Sequence, residues 1–346
     1  MISQVSLYAE GLSEKHKTVV FDKYHGEGYK ECVLGGRTYK LRTNASFTPY
    51  IDYGCSARCR FCSETLSKNH RVDIEDYDPC SHEIRLIKFQ EVIRALKGFK
   101  IELSISGLEP LLGLDQVISF VNEVERIENE DGVSSVEGIV MYSNLSEGKR
   151  KYEQLKLLLA HKKFQKLEIS RHHYEEDINN LIMRYLDKEA IANIGFRERV
   201  SAILPLCDAK LVCVMQKGGI ESLDDVRKYL DWSIDLGFKQ VGMRQLAIVE
   251  NVVDHNETSD YCISHLVDTV GILKEIENDK DFVFINVIRG YYFFTFNYKY
   301  KSIDMSFSLS DYNEMIMHHN SEYKDKLILY PNGTLCYDWD TSKAIY

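Results

Sequence analysis

Three cysteines, Cys55, Cys59 and Cys62, fall within eight residues of the stretch Tyr53-Gly54-Cys55-Ser56-Ala57-Arg58-Cys59-Arg60-Phe61-Cys62-Ser63-Glu64. Their spacing is C-x3-C-x2-C, with the aromatic Phe61 directly before the third. A zinc site that opens on C-x2-C usually draws a second ligand pair from further along the chain. The other six cysteines, Cys32, Cys80, Cys207, Cys213, Cys262 and Cys336, are scattered and offer no such pair. Three thiolates from one short loop can instead hold three irons of a cubane 4Fe–4S cluster. The fourth iron is then left open to a substrate or cofactor.

These residues resemble the cluster loop of the radical SAM enzymes, in their MoaA-like branch, where C-x3-C-x-aromatic-C binds the cluster. The resemblance implies that Cys55, Cys59 and Cys62 are the metal ligands. It also implies that the open iron chelates the amino and carboxylate groups of S-adenosylmethionine. Many relatives carry a second compact cysteine group near the C-terminus; this chain has none, so a single cluster is expected.

The chain has 346 residues, enough for one α/β barrel of roughly 250 residues with additions. Apolar content of 44% and charged content of 28% are ordinary for a globular protein. A net charge of −10 gives no general pull toward nucleic acid, so none is expected as a partner. The N-terminus lacks a basic start followed by an apolar run, and no stretch reaches about 18 consecutive apolar residues. Nine cysteines without an export signal fit the reducing cytosol, and a cytoplasmic enzyme without membrane contact is expected.

Along the chain, residues 1–44 read as short strands and turns, including Lys17–Asp22 and the Gly35-Gly36 turn. This N-terminal extension is too short for a cobalamin-binding Rossmann unit or a full peptide-leader-binding domain. From residue 45 to 250, strands alternate with helices: Ser46–Ile51, Ile101–Ile105, Val136–Met141, Phe164–Ser170, Lys210–Met215 and Lys239–Arg244 are the strands. Apolar residues recur at helical spacing between them, and Ser222 with Asp225 reads as a capping box. Such alternation implies parallel βαβ units. Six of them match the partial (β/α)6 barrel that the resemblance implies. Residues 251–346 form a C-terminal extension, β-rich from 280 onward and hinged on an Asn332-Gly333 hairpin signal, which is expected to close the barrel.

Active sites of parallel barrels lie at the C-terminal ends of the strands. Ser106-Gly107-Leu108-Glu109-Pro110 ends the second strand and resembles the family's Gly-Gly-Glu-Pro motif, with Ser106 replacing a glycine and Leu108 inserted. Gly107 and Glu109 would then bind the methionine amino group. Ser143 and Asn144 resemble a Thr-Asn position that reaches the cofactor, and their alternative role is helix capping. Ser170 and Arg171 end the fourth strand, where an arginine could grip the methionine carboxylate in two-pronged fashion. His172 and His173 are candidate acids, bases or substrate donors, or else fill the barrel mouth. Met215, in the segment Val214–Ile220, and the Phe61 backbone would flank the adenine. Arg244 and Lys217 face cofactor or substrate, or are simply solvated. Cys207, Cys213, Cys336 or a tyrosine could donate a hydrogen atom, and Cys336, in a tail able to fold over the mouth, is the first candidate.

The implied activity is reductive cleavage of S-adenosylmethionine to a 5′-deoxyadenosyl radical, which takes hydrogen from a small polar metabolite, sugar, nucleotide or natural-product precursor. The alternative substrate is a ribosomally made peptide undergoing epimerisation or cross-linking. A flavodoxin or ferredoxin would supply the electron. Two readings from other classes are an electron-carrying cluster protein and a zinc-stabilised binding module. The first has no use for the strand-end polar groups, and the second lacks a fourth ligand.

Overall fold

Strand–helix alternation through the middle of the chain produces one continuous sheet. The computed structural model describes residues 4–17, 21–22, 28–66, 80–147, 149–248, 256–339 and 341–346. In chain order the elements begin with α1 (Gln4–His16), β1 (Phe21–Asp22), β2 (Tyr29–Leu34), β3 (Arg37–Pro49), α2 (Ser63–Leu66) and α3 (His82–Ala95). Next come β4 (Ile101–Ile105), α4 (Leu114–Asp131), β5 (Val136–Ser143), α5 (Tyr152–Leu159), β6 (Phe164–Ser170) and α6 (Glu176–Met183). They continue with α7 (Lys188–Ile191), α8 (Asn193–Ile203), β7 (Ala209–Met215), α9 (Leu223–Asp235), β8 (Gln240–Gln245), α10 (Glu257–Ser264) and α11 (Thr269–Glu277). The tail adds β9 (Phe282–Arg289), β10 (Phe293–Tyr300), β11 (Ile303–Ser310), α12 (Tyr312–His319), β12 (Tyr323–Leu329) and β13 (Leu335–Cys336).

Strands β3 to β8 are neighbours in chain order and all parallel. Right-handed crossovers between consecutive parallel strands put every helix on the same face. That face carries the core: Phe47, Leu103, Met141, Ile169, Leu211 and Met243 from the strands meet Phe89, Phe120, Leu158, Phe196 and Tyr229 from the helices. A sheet covered on one face only curls into a partial barrel. The capping box at α9 forms as its sequence suggests, Ser222 Oγ accepting from Asp225 N.

The C-terminal strands extend both edges. β11 pairs with β8 in parallel and is followed by the antiparallel β10 and β9, while β12 pairs with β3 in parallel. The two edges approach one another around α12. Arg289 Nη2 donates to Glu314 Oε1 at 2.8 Å, and the Tyr291 and His318 rings lie 4.6 Å apart.

The N-terminal segment differs from its reading as strands and turns. Gln4–His16 is a helix whose buried face is Ser6, Ala9, Leu12 and Ser13, so only one large apolar side chain marks it. Of the expected strand Lys17–Asp22, residues 18–20 lie outside the described residues and Phe21–Asp22 pair with β9. The Gly35-Gly36 turn joins β2 to β3, and β3 runs unbroken through residues 44 and 45. Helices α10, α11 and α12 interrupt the tail. No helix among the described residues is long and apolar enough to cross a membrane.

Candidate active site

After β3 the chain enters the cysteine loop, which is pinned on two sides. Arg58 N and Arg60 N donate to the carbonyls of Met183 and Ile182 at 2.9 and 3.1 Å, and Leu186 N donates to Ser56 O at 2.9 Å. The loop therefore lies along the C-terminal end of α6, where Cys55, Cys59 and Phe61 pack on Ala57, Ile182, Met183 and Tyr185. On the other side, Ile51 N donates to Ser106 O, Leu108 N to Ile51 O and Glu109 N to Gly54 O, at 2.9–3.0 Å. Gly107 makes that approach possible. Its φ is +124°, and an added Cβ would stand 2.4 Å from the Ile51 carbonyl oxygen.

Glu109 turns inward from this strap and is fully enclosed. Its carboxylate accepts from Ser143 Oγ at 2.6 Å, Asn144 N at 2.8 Å and Leu111 N at 3.2 Å. Burial pushes its carboxyl up to about 7, against those three hydrogen bonds, which pull it down. Asn144 then reaches the loop: its Nδ2 donates to Ser56 Oγ at 3.0 Å and lies 3.9 Å from Cys55 Sγ. Gly107, Glu109, Ser143 and Asn144 thus form one linked scaffold behind the cysteines.

The inner face of the barrel is polar. Directly paired residues share a face, so the Tyr142–Glu168–Lys210 and Val214–Arg244–Ser308 rows point into the lumen. A barrel interior is ordinarily filled with branched apolar side chains. Here Arg244 Nη2 donates to Glu168 Oε2 at 2.5 Å, and its guanidinium lies 5.9 Å from the Tyr142 ring centre. At the floor, Arg42, Asn44, Glu102, Gly138 and Asp325 line a cavity of about 200 Å³.

His172 links this lumen to the loop. Its ring meets Phe61 edge-on at 4.8 Å, and its Nδ1 accepts from Val214 N at 3.0 Å. That bond assigns the proton to Nε2. Burial, with Arg171 and Arg244 nearby, pushes the imidazole down to about 3. Phe61 and Val214 both pack against the buried pair Leu246 and Cys262. Ser170 is half-exposed two positions before His172. Cys336 pairs with Ile328, which pairs with Thr48, so its side chain shares the inner face. It packs there with Tyr50 and Tyr330.

Several candidates are not brought to this place. Arg171 is turned into the helical layer, where it donates to the carbonyls of Ala190 and Ile191 and to Asn193 Oδ1 and lies over the Phe196 ring. The reason is strand alternation: Ser170 and His172 face inward, so Arg171 faces out. Met215 likewise joins the core behind the sheet, leaving the inward place to Val214. His173 stacks on Tyr174, and its Nδ1 accepts from Glu175 N. Lys217 is exposed, Cys213 donates to His172 O from the outer face, and Cys207 packs against the core. Arg244 is directed at Glu168. The sequence reading missed Glu168 and Tyr142. Both stand at polar positions alternating with Leu167, Ile169, Ile139 and Met141, a period-two signal that marks a wetted face.

The donor set fits an iron–sulfur cluster. Burial pushes the Cys55 thiol up to about 11 and raises Cys59 further, and the nearby charges acting on them, Cys62, Glu64 and Glu109 among them, are all acidic. Buried thiols gathered without a cation become thiolates only when a soft metal is bound. Among the described residues, no three His, Cys, Asp or Glu side chains are placed to hold one single ion. A cubane, by contrast, takes one thiolate at each of three irons.

No protein-family model matches the chain, and no curated protein does. Among solved structures, its fold is similar to that of radical SAM enzymes. SuiB of Streptococcus suis, bound to S-adenosylmethionine, is 11% identical over 97% of this chain and 64% of its own, with a TM-score of 0.49. The enzyme anSMEcpe with bound AdoMet is 15% identical over 69% of this chain and 56% of its own, also at 0.49. HydG, a hydrogenase maturase, is 11% identical over 68% and 49%, at 0.44. The chain spans less than two thirds of each. These are likenesses of fold, and the chemistry has to be judged from the residues themselves.

Proposed function

We propose that this chain is a radical SAM enzyme acting on a substrate held in the barrel lumen. The observation that supports the reading is the packing of Cys55, Cys59 and Phe61 on the end of α6, with the Phe61 ring edge-on to His172 beside the polar inner face. Cys55, Cys59 and Cys62 would hold a 4Fe–4S cluster, which would supply the one-electron reductive cleavage of S-adenosylmethionine and with it the hydrogen-abstracting chemistry.

The protein's own groups hold, orient and exclude water. Gly107 lies against the cysteine loop, the position from which an ammonium would be held, and Glu109 is fixed beside it through Ser143 and Asn144. Phe61 and Val214 supply an apolar wall suited to adenine. Neutral His172 donates from Nε2 and holds no positive charge near neutral pH. Cys336, on the inner face, is the hydrogen-atom donor to test first. The three-part division at residues 44/45 and 250/251 stands as part of the same proposal.

The partner would be an acidic one-electron carrier of flavodoxin or ferredoxin type. Beside the loop, Arg58 and Arg184 are exposed and joined through the bond from Arg58 N to Arg184 O, with Leu181 and Leu186 exposed next to them. This basic and apolar rim contrasts with the chain's net charge of −10.

The test is anaerobic incubation of the reconstituted protein with dithionite and S-adenosylmethionine. The expected result is 5′-deoxyadenosine, absent from a Cys55→Ala/Cys59→Ala/Cys62→Ala variant. An intact cluster that yields none with or without added substrates refutes the reading.

A further inference from the structure

The second half of the cysteine loop rests on one helix. In α10, Thr258, Tyr261 and Cys262 stand three and four residues apart and so share a face. Thr258 Oγ1 lies 2.9 Å from Thr65 Oγ1, and the Arg60 guanidinium lies 5.6 Å from the Tyr261 ring centre. Phe61 packs against the buried pair Leu246 and Cys262. Thr65 Oγ1 also donates to Cys62 O at 3.2 Å. Its single proton is committed there, so Thr258 is the donor between the two hydroxyls. Asn256 caps the helix, its Oδ1 accepting from Thr258 N and Ser259 N at 2.9 Å. That turns Nδ2 toward the loop, where it donates to Thr65 O at 3.0 Å.

α10 is itself fixed to the end of β7. Tyr261 Oη donates to Gln216 Oε1 at 2.6 Å, and Lys217 N donates to His265 O at 2.9 Å. Gln216 is fully buried, and its Nε2 donates to Val214 O at 3.2 Å. The helix is therefore held by its own cap and by β7, and the loop leans on it. The first half of the loop is held from elsewhere, by the Ile182 and Met183 carbonyls at the end of α6.

We propose that α10 is a clasp on the cysteine loop, and that Asn256 and Thr258 are positioning residues that hold Cys62 through Thr65 and set the rate at which the loop gives up cluster iron. Cys55 and Cys59 are packed on the end of α6, so the opening that frees iron is the movement of Cys62. That movement breaks the bond from Asn256 to Thr65 O and the relay from Thr258 through Thr65 to Cys62 O. The inference rests on the iron–sulfur reading of the loop given above.

The test severs the clasp and leaves the helix. Asn256→Asp keeps the capping oxygen but loses the donor to Thr65 O, and Thr258→Val keeps the shape but loses the hydroxyl. Two readouts are taken: anaerobic transfer of iron from the reconstituted holoenzyme to the chelator ferrozine, and hydrogen exchange of the cluster-free chain. The double variant is expected to release iron about tenfold faster, the effect of two lost hydrogen bonds. Exchange should quicken by a similar factor at Cys62 N and Thr65 N, which are bonded to Cys59 O and Cys62 O, and stay unchanged within α10. Thr258→Ser restores the hydroxyl and should release iron at the unmodified rate. Should the double variant not fold, Thr258→Val alone is measured in the same way, with about a threefold effect expected. Unchanged iron release and loop exchange in the severed variant overturn the proposal. So does exchange that quickens equally within α10, since the helix would then have been lost with the clasp. Unmodified protein that takes up no iron would remove the radical reading, and loop exchange in the cluster-free chain would still decide the clasp.

Discussion

Replacing Glu109 separates the scaffold behind the cysteines from the cysteines themselves. Its folded-state value of about 7 lies above the ordinary 4.5, because burial disfavours the charged form more than three hydrogen bonds favour it. The folded state therefore binds this proton more tightly than the unfolded chain does. The stabilising contribution is complete below pH 4.5 and is lost as pH rises through 7. The distance from 4.5 to about 7 corresponds to roughly 3 kcal/mol. Glu109→Gln cannot ionise, so its stability relative to the unmodified protein should rise by about that amount between pH 4.5 and 8. Glu109→Ala leaves Asn144 N–H, Leu111 N–H and the Ser143 hydroxyl without their acceptor. At about 1–3 kcal/mol for each buried donor, it should destabilise by at least about 3 kcal/mol at pH 5, and by less at pH 8. Urea unfolding of cluster-free protein at pH 5 and pH 8 measures both variants. Parallel pH profiles for unmodified protein and Glu109→Gln would refute the reasoning.

Other outcomes follow from single positions. Gly107→Ala sets a Cβ against the Ile51 backbone at positive φ and should cost about 2 kcal/mol or more, with less iron retained on reconstitution. Gly36→Ala, also at positive φ but with open space around it, should cost only about 1 kcal/mol in the same unfolding assay. His172, depressed to about 3, should give an imidazole NMR signal that does not move between pH 5 and 8, and a signal titrating near 6.5 would contradict its burial. Arg58→Glu/Arg184→Glu should slow 5′-deoxyadenosine formation driven by flavodoxin, relative to dithionite, by about tenfold at low salt. An unchanged ratio would place the donor elsewhere.

The six parallel strands were legible because Ile101–Ile105, Phe164–Ser170 and their neighbours are short segments in which apolar residues recur at strand spacing, each followed by a stretch of helical period. The cysteine loop was legible for another reason: thiol spacing is chemistry written locally. Arg171 was misplaced because a strand-end motif says which residues are near the mouth but not which way each one points. The alternation of Lys166, Glu168, Ser170 and His172 decides that, and it turns Arg171 outward. α1 escaped notice because a helix that buries Ser6, Ala9 and Ser13 leaves little periodic signal. The attachment of β12 to β3 and of β11 to β8 is long-range pairing, which no local pattern encodes.

The most direct test of the central claim is iron content together with the electron paramagnetic resonance spectrum of the dithionite-reduced protein, recorded with and without S-adenosylmethionine. The account predicts about four irons per chain and a reduced-cluster signal that changes shape when S-adenosylmethionine binds the open iron. Protein that holds zinc in place of iron, or a cluster whose signal is indifferent to S-adenosylmethionine, would contradict it.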